Sequence, residues 1–305
     1  MGDQISPLPE TACGIYKPAS LATLSAMTIL WANGQWLDAL EFSFSPMDRG
    51  VTVGLGLFET ILAVDGEPIF AAQHLARLRA SCERLGWLPN LPDCQPILRE
   101  LIQRNHLTHG RARIRLAITG GSGSIHDLTL GSDHAVWITA VRAANAPPTT
   151  SANLSPWMRN ERSPLAGLKC ASYAENLVAL ADAARLGFEE TVFLNTRGQL
   201  CETATANLFV VKNGQLLTPS PASGCLPGIT RGVVIELAGQ LGIACTQGDL
   251  SLLDLQTADE CFLTSSIRGL MGLDRFERTL FPPGPLTQAL REAWHTATRR
   301  QIQSC

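Results

Sequence analysis

The sequence predicts a mixed α/β (α+β) protein of two domains, and three observations carry that prediction. The chain has 305 residues, 45% of them hydrophobic, more than the roughly 100–200 residues of one ordinary domain. Strand-like alternation and helix-like periodicity are interleaved in both halves. Between the halves lies ANAPPTTSAN, residues 144–153, rich in proline and small polar residues as linkers are. The reading is a tail over 1–20, a small N-terminal domain over 21–143, a linker over 144–157 and a larger domain over 158–305.

Taken in order, LATLSAMTILWA leads into Asn33-Gly34, so MTILWANGQWL reads as a hairpin. GVTVGLGLFETILAVDGEPIF reads as a strand pair turning at Asp65-Gly66. Leu75, Leu78, Cys82 and Leu85 repeat at helical spacing, with Gly86 ending the helix. Residues 95–106 predict a second helix, and RARIRLAIT and HAVWITAVRA two strands. In the second half, Ser172-Tyr173-Ala174-Glu175 reads as a capping box opening a helix that runs to Gly187. ETVFLNT predicts a strand, NLFVVKNGQLLTP a hairpin at Asn213-Gly214, and ECFLTSS a short buried strand. LPGITRGVVIELAGQLG predicts a helix burying Val234, Leu237, Ala238 and Leu241, and LTQALREAWHTATRRQ a closing helix.

Composition excludes several roles. With 24 basic against 27 acidic residues and a net charge of −3, no basic surface advertises nucleic acid. Nine cysteines, odd in number and without a CxxC pair, suit a reduced cytoplasmic protein rather than a disulfide frame or zinc site. No run reaches the roughly 18 apolar residues of a membrane span. Met1-Gly2-Asp3-Gln4-Ile5-Ser6 fits the myristoylation pattern, which is short enough to arise by chance.

Only three of the 24 basic residues are lysine: Lys17, Lys169 and Lys212. Lys17 is in the tail and Lys212 precedes a surface turn. Lys169 sits in the uncharged stretch SPLAGLKCASYA, just before a helix. Burial lowers an amine's pKa, and arginine cannot lose its proton at any accessible pH, so lysine alone can act there as nucleophile or base. The bland alternative is a lysine lying along a domain surface. Other familiar chemistries fall away. Gly54-Leu55-Gly56 lacks the third glycine of a dinucleotide fingerprint, GGSGS lacks the nucleophile-elbow glycine, and His106 and His109 have no third ligand.

Pro227-Gly228-Ile229-Thr230-Arg231 sets the N–H groups of Ile229 and Thr230 at a helix start, where free donors and the dipole favour a phosphate. Plain capping by Thr230 is the alternative there. Ser265 and Ser266 end a strand and offer hydroxyls, and Glu202 can pair with a ring nitrogen, its alternative being an exposed edge-strand acid.

Taken together, LKCASYAENL…GQLCETATANLF…LPGITR resembles the core of the class IV aminotransferases, the fold-type IV enzymes of pyridoxal 5′-phosphate (PLP). SPMDRGVTVGLGLFETI and HLARL resemble that family's N-terminal part, so the likeness spans about residues 27 to 272. The resemblance implies that Lys169 carries PLP as a Schiff base and moves the substrate proton. It implies that Glu202 holds the pyridine nitrogen protonated, that Tyr173 meets the phenolic oxygen, and that Asn207 braces the strand behind the ring. Arg77 would meet the phosphate as a fork of donors, beside the N–H groups of Ile229 and Thr230 and the Ser266 hydroxyl. A homodimer is also implied. The family's Gly-Asp-Gly is replaced by Gly54-Leu55-Gly56.

Selectivity should lie in Thr60, Arg113 and Arg115. The Tyr-x-Arg of branched-chain enzymes is Arg113-Ile114-Arg115 here, and the loop GGSGSIHDL has His126 but no arginine. Strand alternation points both arginines to one face, suiting a substrate with two carboxylates, unless acids such as Glu59 pair with them. The pattern is most similar to aminodeoxychorismate lyases, which yield p-aminobenzoate and pyruvate. An amino-acid aminotransferase, of D-amino-acid or branched-chain type, is the alternative. A non-catalytic PLP-binding protein would have been expected to lack Lys169 or Glu202.

Overall fold

The computed structural model describes residues 28–124, 126, 133–282 and 284–303. The Met1–Ser6 motif and residues 21–27 lie outside them. In chain order the elements are β1 (Ile29–Ala32), β2 (Gln35–Asp38), α1 (Arg49–Thr52), β3 (Gly56–Val64), β4 (Glu67–Pro68), α2 (Ala71–Arg84), α3 (Cys94–Arg104), β5 (Arg111–Thr119), β6 (Val136–Arg142), β7 (Thr149–Arg159) and α4 (Ala174–Arg185). Then follow β8 (Glu190–Asn195), β9 (Leu200–Thr203), β10 (Asn207–Lys212), β11 (Gln215–Pro219), α5 (Ile229–Gln240), β12 (Cys245–Gly248), α6 (Leu252–Gln256), β13 (Glu260–Ser265), β14 (Gly269–Phe276), β15 (Thr279–Leu280) and α7 (Pro285–Gln303).

The first six strands form an antiparallel sheet in the order β2-β1-β6-β5-β3-β4. Asn33-Gly34 and Asp65-Gly66 all take positive φ, the geometry that folds a strand back on itself in two residues. β5 alternates over Arg111 to Leu116, whereas β3 is buried on both faces. Leu57, Ile61, Ile114 and Leu116 bury themselves under α2 and α3 with Leu75, Leu78, Leu98 and Leu101, each contributing about 1.5–3 kcal/mol by leaving water. Arg113 and Arg115 therefore point away from that core.

The remaining strands form a mixed sheet in the order β12-β11-β10-β13-β14-β7-β8-β9, with β15 beside β14. β13 runs through its middle, and its Phe262 and Leu263 are fully buried, one on each face. α5 and α7 cover one face through Val234, Leu237, Leu290 and Trp294, together with Leu62 of β3 and Phe70 at the start of α2. Among the described residues no helix is long and apolar enough to cross a membrane.

The structure corrects four local expectations. Residues 144–153 are not all irregular: Thr149 onward is β7, parallel to both β14 and β8, so proline density marked only the approach to a strand. The strand expected from Gly50 begins at Gly56, because Asp48 caps a short helix through the Gly50 N–H. Ser172 does not cap α4. Tyr173 is the N-cap residue without a side-chain bond, and the Ser172 hydroxyl donates to Gly54 O at 2.8 Å. Leu241 is half-exposed one residue beyond the end of α5, outside the buried stripe of Val234, Leu237 and Ala238. Leu55, where the family carries an acid, packs against the first core and closely over Gly120.

Candidate active site

A cavity of about 850 Å3 is lined from one side by β3, α2 and β5 and from the other by residues 163–176, β9, the start of α5 and the end of β13. All twelve candidate residues line it: Thr60, Arg77, Arg113, Arg115, Lys169, Tyr173, Glu202, Asn207, Ile229, Thr230, Ser265 and Ser266. They come from positions up to 206 residues apart in the chain, Thr60 and Ser266 being the extremes.

Lys169 is placed by backbone pairing. Its carbonyl accepts the Phe58 N–H at 2.9 Å, and the Ala171 N–H donates to Gly56 O at 2.7 Å. A short antiparallel bridge, Leu57 to Cys170, thus ties the lysine segment to β3. A Cβ on Gly56 would lie 3.1 Å from Ala171 Cβ and 2.9 Å from Ile118 O, so this close approach requires glycine. Lys169 Nζ lies 4.5 Å from the Phe58 ring centroid. Burial, reinforced by the Arg77 charge, lowers its pKa to about 8, against the pull of Glu59 and Glu202. A free-base amine is accessible there near neutral pH.

Glu202 stands on β9 and lines the cavity rather than an exposed edge. Burial pushes its pKa up, opposed by the Arg159 charge and the Leu226 N–H, which donates at 3.0 Å. Asn207 opens β10 and donates from Nδ2 to Leu226 O at 2.8 Å, so it braces the loop leading to α5. Tyr173 packs edge-on against Phe58 and donates its hydroxyl to Ala204 O at 2.8 Å.

At the start of α5 the N-cap is Gly228, with no side-chain cap bond. Thr230 is therefore not the cap, and the opening N–H groups face the cavity uncapped. A Cβ on Gly228 would meet Asn207 Oδ1 at 2.0 Å. Arg77 lies beside this helix start and donates from NH1 to Pro227 O at 2.9 Å.

Two residues that sequence reasoning missed lie behind Arg77. Glu59, expected at most as a partner of Arg113 or Arg115, faces the opposite side of β3. It accepts Arg77 Nε at 2.8 Å and NH2 at 2.7 Å, so one fork of the guanidinium is already engaged. His74 Nδ1 sits 2.7 Å from Glu59 Oε2, and His74 Nε2 is 3.3 Å from Ser266 Oγ. Glu59 and His74 are each 1% exposed. The signal available in the sequence was charge at strand and helix positions otherwise destined for the core.

Arg113 and Arg115 share the cavity face of β5, beside Thr60, which is paired with Arg115. Arg115 lies 3.5 Å over the Phe58 ring centroid. Neither arginine makes a hydrogen bond or ion pair among the described residues. A second cavity of about 310 Å3 is lined by the same two arginines with Thr60, Thr139 and Val141. Ser265 accepts from the Arg268 backbone N–H at 3.4 Å. His126 is exposed and its loop lies largely outside the described residues.

The donor set fits a phosphate-bearing aldehyde: an uncapped helix start, a guanidinium beside it, and an amine of lowered pKa. The comparisons agree with that class. A family model described as amino-transferase class IV matches residues 56–276. The aminodeoxychorismate lyase of Bacillus subtilis is 26% identical over 281 residues, covering 90% of this chain and 96% of that protein. The branched-chain-amino-acid aminotransferase of Salmonella typhimurium is 28% identical over 286 residues, covering 87% and 91%. The solved structure of a putative 4-amino-4-deoxychorismate lyase from Legionella pneumophila superposes with a TM-score of 0.81 at 29% identity, covering 85% of this chain and 97% of that one. The chain belongs to the class IV aminotransferases, PLP-dependent enzymes of fold type IV.

Proposed function

We propose that the chain is an aminodeoxychorismate lyase, converting its substrate to p-aminobenzoate and pyruvate. The observation that carries this reading is the pair Arg113 and Arg115, two cations side by side on the cavity face of β5 without acid partners among the described residues. A substrate with two carboxylates satisfies both through charge-assisted bonds, which are stronger than neutral ones.

In this reading Lys169 holds the cofactor and takes the proton from the amine-bearing carbon. PLP, when bound, supplies the ring that accepts the resulting electron pair. Glu202 keeps the proton on the pyridine nitrogen, and the Arg159 charge helps it to stay ionised. Tyr173, near Lys169, would hold the cofactor's phenolic oxygen through its hydroxyl, which here donates to Ala204 O. Arg77, with the Ile229 and Thr230 N–H groups, holds the phosphate. Arg113 and Arg115 hold the carboxylates so that the ether C–O bond breaks, the ring becomes aromatic, and the departing fragment takes up one proton as pyruvate.

The second reading, an amino-acid aminotransferase, is favoured by Arg115 alone. Its guanidinium lies over the Phe58 ring, which supports one carboxylate-docking group without needing Arg113. A homodimer accompanies either reading. The deciding experiment supplies aminodeoxychorismate without any keto acid and follows p-aminobenzoate fluorescence and cofactor absorbance together. Multiple turnovers with the lysine-bound cofactor intact support the lyase. No product, with ready conversion to pyridoxamine phosphate by an amino acid, sinks it.

A further inference from the structure

Arg77 is held from behind more tightly than an anion-binding arginine requires. Three of its five N–H bonds are engaged, two by Glu59 and one by Pro227 O. One N–H on NH1 and one on NH2 remain, beside the uncapped start of α5. Glu59 itself sits among three donors: Arg77 Nε, Arg77 NH2 and His74 Nδ1. Burial pushes Glu59 up, but the His74 and Arg77 hydrogen bonds outweigh it and leave the carboxyl ionised. A carboxylate can only accept, so His74 Nδ1 carries the hydrogen and, in the neutral ring, Nε2 accepts from Ser266 Oγ. Burial, more than any neighbour, keeps that ring neutral.

These contacts join three separate elements. Glu59 belongs to β3 of the first sheet, His74 and Arg77 to α2, and Ser266 to the end of β13 in the second sheet. We infer that Glu59 and His74 are positioning residues of the phosphate site: Glu59 turns Arg77 so that one end of its guanidinium faces the start of α5, and His74 locks Glu59 in that role. The inference rests on the reading of Arg77 and α5 as the phosphate cup. Two physical effects oppose each other. Glu59 neutralises Arg77 and so weakens its long-range pull on a phosphate, yet it removes the cost of ordering a flexible side chain when the anion arrives. At contact distance orientation dominates, because a misdirected guanidinium loses its hydrogen bonds to the anion outright.

The test is equilibrium binding of PLP and of pyridoxal, which lacks the phosphate, to enzyme stripped of cofactor. Glu59→Gln should weaken PLP by at least about tenfold, as loss of an outer-shell partner does for other bound groups, and change pyridoxal by less than about twofold. His74→Leu, which cannot donate to Glu59, should shift the PLP-to-pyridoxal ratio the same way. His74→Asn, whose amide replaces the Nδ1 donor, should restore most of it. Glu59→Gln binding PLP as the parent does, or losing both ligands in equal proportion, overturns the inference. Should Glu59→Gln fail to fold, the two His74 variants decide by the same ratio. Arg77→Gln separates the layers: an unchanged ratio there defeats the phosphate reading itself, whereas a collapsed ratio beside an intact one in Glu59→Gln defeats only the positioning role.

Discussion

On the C-terminal side of the cavity, Glu202 accepts the Leu226 N–H, Asn207 holds the Leu226 carbonyl, and Lys169 is pinned through the backbone of β3. Across from it, Arg113 and Arg115 have no hydrogen-bonded partner among the described residues, and only the Phe58 ring supports one of them. The first wall is complete before any substrate arrives. The second is left unsatisfied, and in the proposed reading it is the wall that meets the substrate. Groups that serve every turnover in one geometry gain from being fixed. Groups that select a substrate gain from needing it, because an unmet charge rejects molecules that cannot answer it.

That contrast can be broken most sharply at Lys169. Lys169→Ala should abolish turnover and the long-wavelength absorbance of the lysine-bound cofactor. A variant that kept the absorbance would move the attachment point elsewhere. Glu202→Gln should retain bound cofactor yet lower kcat by about a hundredfold, the scale of losing one fixed charge-stabilising group. Steady-state kinetics at saturating PLP would check this, and an unchanged kcat would remove Glu202 from the ring nitrogen.

Smaller effects belong to the opposite wall. Arg115→Gln and Arg113→Gln should each raise KM by about tenfold for a substrate with two carboxylates, the worth of one charge-assisted bond. A monocarboxylate amino donor should feel the Arg115 change alone, and equal sensitivity to both would undo the paired-anion reading. The smallest effect is one of pH. Lys169 has a folded pKa of about 8, below that of a free lysine, because burial disfavours its charge. Its uncharged fraction therefore falls about tenfold per pH unit below that value. Stopped-flow capture of PLP should slow by that factor between pH 7 and pH 6 and level off above about pH 9. A flat profile would mean the lysine is not the titrating group.

Much of the first wall was legible in the chain. Lys169 stood out because a sequence rich in arginine places lysine in an uncharged stretch. The start of α5 stood out because Pro-Gly opens a helical repeat whose first N–H groups suit an anion, with capping by Thr230 as the alternative. Glu59 and His74 showed in the sequence only as charges at positions otherwise destined for the core, and their meaning depends on β3 packing against α2 so that Glu59 meets both His74 and Arg77. The expected capping box at Ser172 failed for the same reason. Its hydroxyl found Gly54 O, 118 residues away, in preference to the helix beside it.

By itself the sequence determined what repeats locally: the alternation of β5 that sends Arg113 and Arg115 to one face, the turns at Asn33-Gly34 and Asp65-Gly66, and the apolar stripes of α2 and α5. These follow from side-chain periodicity and backbone sterics, which act over a few residues. Tertiary structure alone decided that Lys169 would be threaded against Gly56, that Glu59 would turn toward Arg77 rather than Arg115, and that Thr149 would begin a strand. Each depends on which surfaces meet when the two sheets close around the cavity, and burial, charge pairing and amine pKa take their values only there.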